Sequence, residues 1–312
     1  MLEVLEERKI PIAELIPFAS ARSAGSKIAY AGKEYTVVEL TEANIKSRRM
    51  DYALFSAGGG TSRDFAPVFA KHGVVVIDNS SQWRMDSSVP LVVPEVNAHD
   101  LKWHKNIIAN PNCSTIQAVV PLAPLHKAFG IKRIIYSTYQ AVSGAGLAGH
   151  TDLEDGVKGL PPKKFTQPIF GNLIPQIDVF LPDGYTKEEQ KMILETRKIL
   201  GDDTIKITAT TVRVPVYNGH SESINVEFNK PVTLDAARAC LKAAAGVTLM
   251  DDPERGIYPT PLFASNKDDV FVGRLRIDGS VDSGINMWVV ADNIRKGAAT
   301  NAIQILEALI QK

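Results

Sequence analysis

Tyr52-Ala53-Leu54-Phe55-Ser56, a helical pattern over residues 63–72, and Val74-Val75-Val76-Ile77-Asp78 follow one another with Gly58-Gly59-Gly60 and Gly73 as punctuation. An apolar strand, a helix and a second apolar strand in that order make a βαβ unit, whose two strands lie parallel in one sheet. Such sheets bind ligands at the carboxyl ends of their strands. The two loops that leave those ends, Ser56-Ala57-Gly58-Gly59-Gly60 and Asn79-Ser80-Ser81, are therefore the first places to look. Tyr35-Thr36-Val37-Val38-Glu39-Leu40 reads as another strand, and Leu2, Leu5, Ile10 and Ile12 bracket a helix that ends before Pro11.

From about Asn112 the texture changes. Residues 133–139, 206–215, 221–228 and 270–277 are strand-like runs with little helix between them, which predicts antiparallel strands in an α+β second domain. Lys187–Leu200 is a clean helix: Met192, Ile193, Thr196 and Ile199 recur at helical spacing and Gly201 stops it. A final helix is predicted over residues 292–310, with Ala298, Ala302, Ile305, Leu306 and Leu309 on its apolar face. The Gly/Pro-rich stretch 144–175 reads as irregular. The expected division is a dinucleotide-type domain over 1–111, with a helix over 293–312 packing back on it, and a second domain over 112–292.

Composition narrows the function classes. The 312 residues carry 35 Lys+Arg against 35 Asp+Glu, so there is no cationic excess of the kind a nucleic-acid-binding face uses. With 45% hydrophobic residues the chain has ample material for a core and is no disordered segment. No apolar run approaches the roughly 20 residues of a membrane-spanning helix. The acidic, amphipathic opening is unlike a secretory signal. Two cysteines, Cys113 and Cys240, make no disulfide framework, which points to a reducing, cytoplasmic setting. No metal is expected.

Asn110-Pro111-Asn112-Cys113-Ser114-Thr115 is the sharpest local signal. A thiol at the opening of a helix faces unpaired backbone N–H groups that favour the thiolate, the reactive form. A buried structural cysteine is the other reading of Cys113. Pro121 and Pro124 predict that the helix kinks or breaks early. Cys240 lies in the alanine-rich run 236–245 and reads as packing. Arg213-Val214-Pro215-Val216-Tyr217-Asn218-Gly219-His220 sets an arginine on a strand and a histidine past a turn. That pair can grip a carboxylate and serve as general base, or it can be a surface turn. Glu188 and Lys191, three apart, read by spacing alone as an exposed helix pair. Arg84, near Ser80 and Ser81, either binds an anion or is solvated.

Seven stretches, in order along the chain, resemble the aspartate-β-semialdehyde dehydrogenase family. They are Ala19-Ser20-Ala21-Arg22-Ser23-Ala24-Gly25, Phe55-Ser56-Ala57-Gly58-Gly59, Val89-Pro90-Leu91-Val92-Val93-Pro94-Glu95-Val96-Asn97, Pro111-Asn112-Cys113-Ser114-Thr115, Tyr139-Gln140-Ala141-Val142-Ser143-Gly144-Ala145-Gly146, residues 213–220 and residues 287–298. The resemblance implies an α/β fold, a Rossmann-type NADP-binding domain with an α+β catalytic and dimerisation domain. It implies reductive dephosphorylation of β-aspartyl phosphate by NADPH to aspartate semialdehyde, on the route to Lys, Thr and Met. Under it Cys113 forms a thioester, His220 is its acid/base partner and Gln140 orients the acyl group. Arg213 takes the substrate carboxylate and Glu188 its ammonium, while Arg84, Asn112 and Lys191 line a phosphate site. Arg22 and Ser23 meet the 2′-phosphate of NADP, and Ser56, Gly58, Ser143, Gly144 and Asn293 complete the cofactor contacts. The implied partners are a small-molecule substrate, phosphate and a second copy of the chain, in a homodimer or a tetramer, with no nucleic acid and no membrane.

Two departures from the family pattern stand out. The family begins with a strand and a Gly-rich turn that cradles the pyrophosphate, and the expectation is that this chain lacks both and binds NADP weakly. Residues 149–175 are also shorter than the family's, which bears on the subunit interface. The alternatives are another acyl-phosphate reductase, such as N-acetyl-glutamyl-phosphate reductase, and a non-catalytic truncated paralogue acting as a partner subunit.

Overall fold

The chain opens with α1 (Leu2–Glu7), which buries Val4 and Leu5 and stops short of the predicted end because Lys9 adopts a left-handed conformation. β1 (Phe18–Ala19), β2 (Lys27–Tyr30), β3 (Lys33–Thr36) and β4 (Val38–Glu39) follow. The strand expected over 35–40 is thus two strands with different partners. β3 closes an antiparallel hairpin with β2 through Ala31 and Gly32, both at positive φ as the tight turn requires. Between them, Val37 exchanges backbone hydrogen bonds with Gly25 and Ser26, which hands the chain over to a parallel pairing of β4 with β1. After α2 (Glu42–Lys46) come β5 (Tyr52–Phe55), α3 (Gly59–Lys71) and β6 (Val75–Asp78), the βαβ unit read from the sequence. α4 (Pro94–Asn97) and β7 (Ile107–Ala109) complete a parallel ladder in the order β5-β6-β7. The computed structural model describes residues 1–311, so the last residue of the expected 293–312 segment lies outside the described residues.

Phe69 of α3 stands edge-on to Phe18 at 5.7 Å and to Phe55 at 5.3 Å, so one aromatic ring links the β1-β4 ladder to the β5-β6-β7 ladder. The core of this unit gathers Val4, Leu5, Ile77, Val92, Leu101 and Ile108 with Ala302, Ile303, Ile305 and Leu306 of α10 (Thr300–Ile310). Each such large side chain, fully buried, contributes about 1.5–3 kcal/mol.

The second unit starts with α5 (Cys113–Phe129), which runs unbroken through Pro121 and Pro124. The two prolines remove donors from the ladder, yet residues 114–122 are buried without exception, and packing outweighs local propensity. Then follow β8 (Ile131–Gln140), α6 (Leu147–Val157), α7 (Lys187–Leu200), β9 (Lys206–Arg213), β10 (His220–Phe228), α8 (Leu234–Lys242), β11 (Val247–Leu249), α9 (Pro261–Ala264), β12 (Val270–Ile277) and β13 (Gly284–Ala291). They form a six-stranded sheet in the order β11-β12-β13-β10-β8-β9. It is mixed, not wholly antiparallel: β8 and β9 run parallel, as do β11 and β12. The β8–β9 connection carries α7, the crossover a parallel pair needs. The stretch 144–175, read as irregular, contains the whole of α6.

The chain divides into one compact unit of residues 1–94, 98–110 and 299 onward, and another of residues 95–97 and 111–298. The expected final helix is a π-turn over Arg295–Ala299 followed by α10, and the segment that returns to the first unit begins at Ala299. Among the described residues no helix is long and apolar enough to cross a membrane.

Candidate active site

Cys113 is the first residue of α5, and Asn112 is the N-cap. The Asn112 Oδ1 accepts from the backbone N–H groups of Ser114 at 3.0 Å and Thr115 at 3.2 Å, fixing the turn that presents the thiol. α7 holds the same residue twice. The Asn112 backbone N–H donates to Glu195 Oε2 at 2.7 Å, and its Nδ2 donates to Glu188 Oε1 at 2.9 Å. Asn112 therefore works as cap and tether, with its amide oxygen committed to the helix. A Cβ placed on Gly297 would lie 3.0 Å from the Cys113 Cβ, so a larger residue there would press on the cysteine.

Glu188 is buried, not the exposed partner that spacing suggested. Its Oε1 also accepts from Gln140 Nε2 at 3.0 Å, and its Oε2 from Lys191 Nζ at 3.2 Å. Burial pushes its carboxyl up, but Lys191 and the Gln140 and Asn112 amides outweigh this and hold it below the usual range. Lys191 divides its ammonium between Glu188 and Asp178, the latter at 2.9 Å. Gln140 is buried with Thr138 donating to its Oε1.

Arg213 and His220 meet at Gly144. A Cβ on Gly144 would lie 2.8 Å from Arg213 Nη1 and 3.2 Å from His220 Cε1 and Nε2. Arg213 is buried, donates from Nη1 to the Ala141 carbonyl at 2.7 Å, and has the Phe165 ring 5.8 Å from its guanidinium carbon. Burial lowers its pKa, while Glu188 and Cys113 raise it. His220 is fully buried and accepts the Ala141 backbone N–H at Nδ1, 3.0 Å away. An acceptor at Nδ1 places the ring proton on Nε2. Burial, with Arg213 adding to it, pushes its pKa well below the ordinary histidine value, so the ring is neutral.

Ser143 and Asn293 are buried and bonded to each other, with Asn293 Nδ2 donating to Ser143 Oγ at 2.9 Å. Asn293 Oδ1 also accepts the Gly219 N–H at 2.9 Å, which fixes the turn before His220. In the first unit, Arg84 is buried and donates to the carbonyls of Asn110 at 2.9 Å and Asn79 at 3.0 Å. Arg22 is exposed in the turn after β1, and Ser56 is exposed at the carboxyl end of β5. Gly58, at φ 86°, opens α3 with no side chain capping its first N–H groups. Free N–H groups at a helix N-terminus, an exposed arginine and Ser23 beside it are a donor set that suits the phosphates of a dinucleotide.

The sequence reading singled out neither Glu195, Phe165 nor Gly297. Each acts on a partner far away along the chain, and no local pattern marks it.

A family model described as the semialdehyde dehydrogenase NAD binding domain matches residues 1–104, and one described as its dimerisation domain matches residues 122–296. The chain belongs to the semialdehyde dehydrogenase family. Within it, the chain is similar to proteins of one particular name. The aspartate-semialdehyde dehydrogenase of Aquifex aeolicus is 55% identical over 320 residues, spanning 100% of this chain and 94% of that protein. That of Bacillus subtilis is 46% identical over 323 residues, spanning 99% and 93%. The crystal structure of aspartate semialdehyde dehydrogenase II complexed with ASA from Vibrio cholerae superposes with a TM-score of 0.94 at 47% identity, covering 100% of this chain and 94% of that one. The Candida albicans enzyme with NADP gives a TM-score of 0.77 at 27% identity, covering 99% and 94%.

Proposed function

We propose that the chain catalyses the reversible NADP-dependent reductive dephosphorylation of L-aspartyl 4-phosphate to L-aspartate 4-semialdehyde. The observation that carries this reading is a cysteine at a capped helix N-terminus, whose cap is bonded to the buried carboxylate of Glu188, in the unit where Arg213 and His220 converge on Gly144. The Cys113 thiolate attacks the acyl carbon, a C–S bond forms, the C–O bond to phosphate breaks, and phosphate leaves. The thioester keeps an electrophilic carbonyl. NADPH, when bound, supplies the hydride that converts it to the aldehyde as the thiolate departs. His220 holds and moves its proton through Nε2, because Nδ1 is tied to the backbone. Arg213 takes the substrate carboxylate in its planar fork and Glu188 the ammonium. Gln140, bonded to Glu188, orients the acyl group.

For the phosphate, Arg84 is the proposed contact in the first unit and Lys191 in the second. For the cofactor, the first unit offers Arg22 and Ser23 to the 2′-phosphate and Ser56 and Gly58 at the start of α3. The second unit offers Ser143, Gly144 and Asn293. A homodimer and a cytoplasmic location complete the reading, supported by the dimerisation-domain match and the pair of free cysteines. Glu188, a buried anion, favours a substrate with a free ammonium over an N-acetylated one.

The test is an assay of aspartate semialdehyde against N-acetylglutamate semialdehyde, each with phosphate and NADP, on the wild type and on Cys113→Ser. Wild type should prefer the former, and Cys113→Ser should fold yet lose at least on the order of 10³-fold in rate. Cys240→Ser should stay active. Equal rates for wild type and Cys113→Ser would remove the thioester.

A further inference from the structure

Glu222 follows His220 by two residues on β10, so both side chains leave the same face of the strand. It is completely buried, and the reaction above makes no use of it. Neither of its carboxyl oxygens has a hydrogen-bond partner among the described residues. Gln117, one turn into α5, donates Nε2 to the His220 carbonyl at 3.3 Å, while its own Oε1 is without a partner. The Gln117 amide acts on the Glu222 carboxyl, favouring its charged form in part, though no aligned hydrogen bond closes between them. Thr138, opposite Glu222 in the β8 ladder, spends its hydroxyl on Gln140. Glu222 Oε1, Glu222 Oε2 and Gln117 Oε1 are three buried oxygens without a partner, and a carboxylate anion supplies a proton to none of them.

We propose that Glu222 is a positioning residue that carries a proton at neutral pH and donates it as a hydrogen bond to Oε1 of Gln117, locking the first turns of α5, with Cys113, to the strand that carries His220. One proton satisfies both sides at once. It turns the carboxyl into a donor, gives Gln117 Oε1 its partner, and leaves Nε2 on the His220 carbonyl. The surroundings favour that form. Burial pushes the carboxyl well above the usual range, Gln117 offsets a part, and the Glu188 anion on α7 adds to the rise. Tyr136, from β8, is fully buried in the field of the same carboxyl, with its own hydroxyl bonded to Thr196 at 3.1 Å. His220, on the same strand, is neutral for the reasons given above.

Two measurements test this. A folded state that keeps a proton which the unfolded chain releases above about pH 4.3 loses stability as pH rises. Glu222→Gln, neutral at every pH and able to donate to Gln117 Oε1, removes that loss. Urea midpoints of the two proteins should therefore diverge in favour of Glu222→Gln between about pH 5 and about pH 8. A difference that is flat, or that favours wild type as pH rises, overturns the proposal. The kinetic measurement rests on the dehydrogenase reading, and an inactive wild type would be the failure of that reading alone. Glu222→Gln should keep kcat and its pH profile. Glu222→Leu should lose on the order of 10²-fold in kcat with KM for the semialdehyde little changed, as misplacement of reacting groups does. A Gln variant as defective as the Leu variant, or one with a displaced pH profile, overturns the proposal. Should Glu222→Leu fail to fold, the stability comparison decides.

Discussion

Gly144 sits where two functional side chains leave no room for a methyl group. Its Cβ position is 2.8 Å from Arg213 Nη1, and that nitrogen is held by the Ala141 carbonyl, so it cannot swing aside cheaply. Gly144→Ala should fold with a thermal midpoint near wild type, yet kcat/KM for the semialdehyde should fall on the order of 10–10²-fold. Steady-state kinetics that match wild type would show that neither Arg213 nor His220 needs its present place. Cys113, Arg213 and His220 stood out in the sequence because each lies in a short stretch of unusual composition, whereas Gln140 was singled out only by the family resemblance. Glu195 was not: a carboxylate on a polar helix is ordinary until Asn112, far away along the chain, is found to donate to it. Glu188 was half legible. Its spacing with Lys191 was read correctly, but burial turned an apparent surface pair into the hub of three hydrogen bonds.

At the level of elements, α6 carries one residue that organises a loop. Asp152 accepts the backbone N–H groups of Lys163 at 2.9 Å and of Lys164 and Phe165 at 2.8 Å each. It is covered by the loop it holds, though close to the surface, and burial pushes its carboxyl up while the three N–H donors more than compensate and lower it. The loop in turn sets Phe165 against Arg213. Asp152→Asn loses the charge in these bonds and should cost about 1.5–3 kcal/mol at neutral pH. Because the folded value is depressed, the advantage of the aspartate is present above the unfolded value of about 3.9 and fades as pH falls through the folded one. Denaturant midpoints of the two proteins that stay equally far apart down to acid pH would show that the charge plays no part. The sequence reading missed α6 because Gly149 and Gly156 inside it are poor helix formers. Both are needed there: a Cβ on Gly149 would run into the Val142 carbonyl, and one on Gly156 into the Cβ of Phe170. The prolines of α5 misled in the same way, since local propensity says nothing of the sheet and helices that press on that helix.

For the molecule as a whole, the dimerisation-domain match and the exposed Leu147, Phe170, Phe180 and Leu262 of the second unit lead to a definite expectation. Sedimentation equilibrium should return twice the mass of the chain at micromolar concentration, and a strict monomer would sink the homodimer. Two units were legible from the change of texture near Asn112, because periodicity reports which face of each element is buried. Strand direction in the second sheet was not, because the order β11-β12-β13-β10-β8-β9 depends on crossovers that composition does not encode. The first unit is discontinuous: Ala302, Ile303, Ile305 and Leu306 share a core with Val4, Leu5 and Ile77. During synthesis the ribosome therefore releases the second unit whole before it delivers the helix that the first unit waits for. The residues made earliest lack the α10 share of their core until translation has passed Leu306, and for that interval the nascent first unit is the part a chaperone would have to shelter.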